Sequence, residues 1–147
     1  MALKVELKPH ERIIIGTVVI RADDQRTRLF IEGEAPILRE KDILTAKTAN
    51  SPAKRVYLSV QLMYLDQDVG KHHEIYFTLV REFLEAVPSS GALVAEINNR
   101  ILSGDLYKAL KAARRLIDYE SELLNHVLRN QRLCEDSTAS AGQSAGP

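Results

Sequence analysis

The chain has no tryptophan and a single cysteine, and aromatic residues make up only 5% of its 147 residues. Its core must therefore be built from Leu, Ile, Val and Ala. Cys134 has no second cysteine in the chain with which to form a disulfide, so a reducing cytoplasm is the expected setting. The opening segment Met1–Glu11 lacks the apolar stretch of a cleavable signal peptide. No uncharged apolar run, Val56–Leu65 included, reaches the ~20 residues that a membrane-spanning helix needs. Neither sign of charge is in excess: 20 Lys+Arg face 20 Asp+Glu, a formal net charge of zero. That excludes a protein coated in positive charge, such as a non-specific DNA binder, but leaves room for a local basic patch.

Catalytic patterns are missing as well. The chain has no Gly-rich phosphate loop and no Gly-x-Ser-x-Gly elbow. His72 and His73 are neighbours, so on a helix their side chains diverge by about 100° and cannot readily share a metal. His10 and His126 have no Cys or carboxylate at ligand spacing, and Cys134 stands beside a polar tail. The sequence thus predicts neither an enzyme nor a protein with a metal or other cofactor.

What is there divides into two halves. Leu3, Val5 and Leu7 alternate with Lys4, Glu6 and Lys8, the period of a strand with one wet face. Pro9-His10-Glu11 makes a turn, Arg12–Ile15 and Thr17–Arg21 flank Gly16, and Thr27–Glu32 alternates again with Leu29 and Ile31 on one face. Ile37–Arg39 is a last extended piece. The second half is helical. Ser51-Pro52 starts one helix, and Gly70 separates it from a second over His73–Val87. Leu93, Ile97 and Ile101 mark a third, closed by Ser103-Gly104, and Asp105 caps a fourth. The expected fold is α+β: a small antiparallel β-sheet or barrel module over residues 1–46, then an antiparallel bundle of about four helices over residues 47–133. Residues 134–147, rich in Ser, Thr, Ala and Gly, read as a disordered tail.

Two basic groups stand out. Lys108, Lys111 and Arg115 share a face of the fourth helix, with Arg114 at its margin; Asp118 and Glu122 further along favour an ordinary solvated surface. Arg39, Lys41, Lys47, Lys54 and Arg55 gather around the junction of strands and helices.

Four blocks in order resemble the FlbT family of flagellar regulators: Leu3–Glu11, Glu32–Leu44, Ser51–Tyr57 and Gly104–Lys111. The resemblance spans roughly Leu3 to Glu120. It implies a cytoplasmic factor that associates with the 5′ untranslated leader of flagellin mRNA and represses its translation or promotes its decay. It also implies FlaF, a small helical protein, as a partner. A weaker likeness concerns the run Lys8-Pro9-His10-Glu11-Arg12-Ile13-Ile14-Ile15-Gly16, which is similar to the first hairpin of CsrA-type RNA-binding proteins. Ala35-Pro36 and Arg39-Glu40 echo a later element of that family. His10 stands where CsrA-like chains carry glycine, so the turn backbone is expected to differ. By analogy with those proteins a homodimer is expected.

Carried across, the resemblance points to Arg39 and, through the first strand, to Lys8 and Leu7. The RNA-binding set expected from sequence is Arg39 and Lys41, helped by Lys8, Arg12, Lys54 and Arg55, since cations of this kind grip phosphate. No aromatic stacking platform is evident, so recognition of backbone and loop shape is expected. The rival is an adaptor or chaperone whose helical half holds flagellin or FlaF in an amphipathic groove, with an indirect effect on mRNA.

Overall fold

The computed structural model describes residues 2–144. Five strands come first: β1 Ala2–Leu7, β2 Arg12–Ile15, β3 Val18–Arg21, β4 Thr27–Glu32 and β5 Ile37–Arg39. They form two small antiparallel sheets rather than one, β1 with β4 and β3-β2-β5. The alternation in β4 holds: Leu29 and Ile31 turn inward while Arg28 and Phe30 are exposed. Val5, Leu7, Ile13 and Ala22 are buried between the sheets, with Leu29, Ile31 and Ile37 packed against them.

The run Ile13-Ile14-Ile15 does not alternate because β2 is covered on both faces. Ile13 and Ile15 belong to the small sheet core, and Ile14 packs with Leu38 into the helical core. The turn after β1 closes with the Glu11 N–H donating to the Lys8 carbonyl at 3.0 Å. His10 takes φ 64° there. This is the left-handed region that glycine enters most readily, and His10 occupies it within the hydrogen-bonded turn.

Four helices follow: α1 Pro52–Asp66, α2 Val69–Ala86, α3 Gly91–Leu102 and α4 Leu106–Ser144. The Ser51 hydroxyl caps α1 by accepting from the Lys54 N–H at 3.3 Å, with Pro52 at the first position, as the sequence predicts. The α1–α2 break lies earlier than Gly70. Gln67, at φ 53°, closes α1, and the Asp68 carboxylate caps α2 by accepting from the Lys71 N–H at 3.3 Å. Gly70 thus sits inside the first turn of α2, because a side-chain cap fixes a helix start more strongly than a nearby glycine interrupts it. Gly104, at φ 79°, turns the chain from α3 into α4, whose first turn is capped by Asp105.

The helical core runs from Val56, Val60 and Met63 through Tyr76, Phe83 and Ile97 to Leu110 and Leu116. Ala109, Ala112 and Ala113 are buried too, and their small side chains let α4 approach its neighbours closely. The α4 backbone stays helical as far as Ser144, through much of the stretch where the sequence reading expects disorder from Cys134 onward. A helix already nucleated over many turns propagates cheaply through Ala, Gln, Ser and Glu when no proline intervenes. Residues 145–147 of that stretch lie outside the described residues.

Candidate nucleic-acid interface

The strands and the bundle meet along a seam held by side chains of α1 and α4. The Tyr64 hydroxyl donates to the Ile37 carbonyl and accepts from the Ile37 N–H, both at 3.0 Å, so it serves β5 as a neighbouring strand would. The Gln61 amide exchanges two bonds of 2.9 Å with the backbone of Leu44. The Tyr57 hydroxyl donates to the Asp42 carbonyl, and Arg114 donates from Nη2 to the Lys41 carbonyl and to Asp42 Oδ1, each at 3.2 Å. At the far end Glu120 accepts from the Ala53 N–H at 2.9 Å, tying the start of α1 to α4. Burial pushes the Tyr57 phenol up to about 12, with the Arg114 guanidinium opposing that rise, and burial also raises Tyr64 above its ordinary value.

This framework opens a groove of about 410 Å³ between β5 and α4, lined by Leu3, Ile37, Leu38, Arg39, Asp42, Tyr64 and Tyr107. A smaller recess of about 120 Å³ adjoins it, sharing Leu38, Asp42 and Tyr107 and adding Lys111 and Arg114. The Tyr64 and Tyr107 rings stand 5.8 Å apart at 44°, and Lys111 Nζ lies 4.8 Å from the Tyr107 ring centre. Arg114 lies 5.3 Å over the Tyr57 ring. Among the described residues neither Arg39 nor Lys111 is in an ion pair, whereas Arg114 is paired with Asp42 and Lys108 with Asp105.

The structure brings some of the expected residues together and separates others. Arg39 lies in the groove wall, and exposed Lys41 follows it in the 3-10 turn Glu40–Asp42. Arg12 is on the neighbouring strand, its Nε 3.2 Å from Glu40. Lys8 is exposed in the turn after β1, away from the residues lining the groove. Lys54 bonds to Asn50 at 3.3 Å. Arg55, one residue on and about 100° round α1, lines a different cleft, with Leu58, Leu62, Ile75 and Leu79.

Sequence reasoning missed Tyr64 and Tyr107. The one signal available was Tyr107 at i, i+4 from Lys111 on an otherwise polar helix face. The two histidines take separate partners: buried His72 donates from Nε2 to Asp66 at 2.7 Å, and His73 donates from Nδ1 to the Gly70 carbonyl at 2.8 Å. Among the described residues no group of three or more His, Cys, Asp or Glu is placed to hold a metal. No described helix is long and apolar enough to cross a membrane. The Cys134 side chain lies outside the described ones.

Comparison with known proteins gives a consistent result. The family profile described as flagellar protein FlbT matches residues 3–124. A probable flagellum biosynthesis repressor protein FlbT 1 from Bradyrhizobium diazoefficiens is 64% identical over 124 residues, covering 84% of this chain and 85% of its own. A probable flagellum biosynthesis repressor protein FlbT from Rhodopseudomonas palustris is 55% identical over 85% of this chain and 99% of its own. The flagellum biosynthesis repressor protein FlbT of Caulobacter vibrioides is 37% identical over 99% of this chain and 100% of its own. No solved structure matches.

Proposed function

The chain belongs to the FlbT family of flagellar proteins, and from that premise we propose that it is a non-catalytic repressor of flagellum biosynthesis that binds the 5′ untranslated leader of flagellin mRNA. The observation that carries this reading is the seam. On a chain of zero net charge, Arg39 lines the groove and Lys111 the recess that adjoins it, neither with an ion-pair partner among the described residues; Arg114 lines the same recess and Lys41 follows Arg39 in the 3-10 turn. Unpaired cations at the rim of a concave surface attract phosphate, and guanidinium groups grip it in a fixed geometry. A repressor of translation or mRNA stability needs such local contact with the leader rather than a uniformly basic surface.

The test is leader binding by the purified full chain across a salt series, with a scrambled RNA as control. Direct binding loses affinity steeply with salt, by a slope of about 0.7 for each phosphate neutralised on a single strand. Arg55→Glu, at a residue that lines neither the groove nor the adjoining recess, should leave the leader affinity unchanged.

A second reading has its own observation. The cleft between α1 and α2, about 180 Å³ and walled by Leu58, Leu62, Ile75 and Leu79, is almost wholly apolar. It would suit an amphipathic helix from FlaF or flagellin, and binding there would depend little on salt.

A further inference from the structure

Tyr107 is the exposed tyrosine of the chain, and it stands where the two halves of the fold meet. Tyr57 and Tyr76 are buried, half-buried Tyr119 shares a hydrogen bond with Ser89, and the ring of Tyr64 is fixed by its hydroxyl on β5. Tyr107 lines the groove beside this ring, which its two bonds to Ile37 hold in place. Leu3, Ile37 and Leu38 add apolar side chains to the lining of the same groove. Asp42 offers the groove a carboxylate, of which Oδ1 is held by Arg114. Arg39 lines this groove, and Lys111 lines the recess that adjoins it through Leu38, Asp42 and Tyr107.

We infer that this groove takes an unpaired base of single-stranded RNA against Tyr107, with an N–H of the base edge on Asp42 and the adjoining phosphates on Arg39 and Lys111. The inference rests on the leader-binding reading and gives it a substrate class: unstacked nucleotides of a loop or single strand, not a duplex. In an A-form helix the bases are stacked on one another and their faces are closed to side chains, whereas loop bases can be splayed onto aromatic rings. Aromatic stacking tolerates any base, because each has a π-face, so specificity comes from which nucleotides are free to unstack. Lys111, now over the Tyr107 ring, reaches a neighbouring phosphate by turning its flexible stem, and the base takes the ring face that it leaves.

The site is composite. Arg39 comes from β5, Asp42 from the 3-10 turn and Tyr107 and Lys111 from α4, so neither the strands nor the bundle alone would hold the base. The charged groups facing it are mixed in sign, which distinguishes a base-holding recess from a simple phosphate track.

The experiment compares the full chain with its Tyr107→Leu and Tyr107→Phe variants, each titrated with leader RNA and with the leader annealed to its complement. Tyr107→Leu keeps an apolar side chain at an exposed position but removes the ring. It should weaken leader binding about 10- to 100-fold, the usual range for a lost base stack. The salt slope should stay the same, since the phosphate contacts remain. Tyr107→Phe should bind within about twofold of the parent, and the annealed leader should bind far more weakly than the free one. Unchanged affinity in Tyr107→Leu, or equal binding of the annealed RNA, overturns the inference while leaving leader binding itself intact. Failure of the unmodified chain to bind the leader at low salt overturns both.

Discussion

At His10 a histidine holds a backbone conformation that suits glycine, at φ 64°. The left-handed region costs a residue with a Cβ roughly 1–2 kcal/mol, and glycine's greater freedom in the unfolded chain returns part of this. His10→Gly is accordingly expected to stabilise the fold by up to about 1 kcal/mol. His10→Val, whose branched side chain is poorly tolerated there, should destabilise it by about 1–2 kcal/mol. Urea unfolding midpoints check both. Tyr57 gives a prediction of another kind. Burial holds its phenol protonated up to about 12 in the folded chain, against the ordinary value of 10.0. The folded state therefore keeps a proton that the unfolded state releases above pH 10, and stability must fall as pH rises from 10 toward 12. Tyr57→Phe should flatten this fall, read from thermal unfolding in alkaline buffers, while weakening the fold at neutral pH through the lost bond to the Asp42 carbonyl. Among residues that line the groove, Arg39 was singled out by its Arg-Glu element. Tyr107 was not, because its value depends on Tyr64 and β5, and no local pattern in α4 announces that neighbour. Arg114 was placed at the margin of a basic face; it turns inward to Asp42 and Lys41 instead.

At the scale of elements, α1 is the strut on which the groove depends. Three of its side chains, Tyr57, Gln61 and Tyr64, bond to the backbone between Ile37 and Leu44. Buried Gln61 satisfies both the N–H and the carbonyl of Leu44. Gln61→Ala leaves both without partners and should cost about 2–4 kcal/mol, measured by chemical denaturation. The strands were legible because alternation and turn residues are local signals, as were the caps of α1 and α4. The division into two sheets was not, since it is decided by which edges pair across the turn at Pro9. The early start of α2 hid behind Gly70, whose effect the Asp68 cap overrides. For α4, helical spacing from Leu106, Leu110 and Ile117 puts Leu124 and Leu128 on the inner face, yet both are about half exposed, at 56% and 53%: periodicity shows which face is apolar and not how far along the helix its neighbours cover it.

At the scale of the molecule, the strands and helices are interdependent. Ile14 and Leu38 pack into the helical core, so residues 1–46 give part of their apolar surface to the bundle. That shared core is what brings Arg39 and Lys41 to α4. The zero net charge of the chain argues against a surface coated in positive charge, and the seam is where Arg39, Lys111 and Arg114 come near one another.

The most direct test of leader binding at the seam is titration of the flagellin mRNA leader into the full chain and into an Arg39→Glu, Lys41→Glu variant, each with its circular dichroism spectrum. The expected result is tight, salt-sensitive binding by the parent, loss of binding by the variant, and identical spectra. Equal affinity of the two proteins would remove the seam as the RNA site.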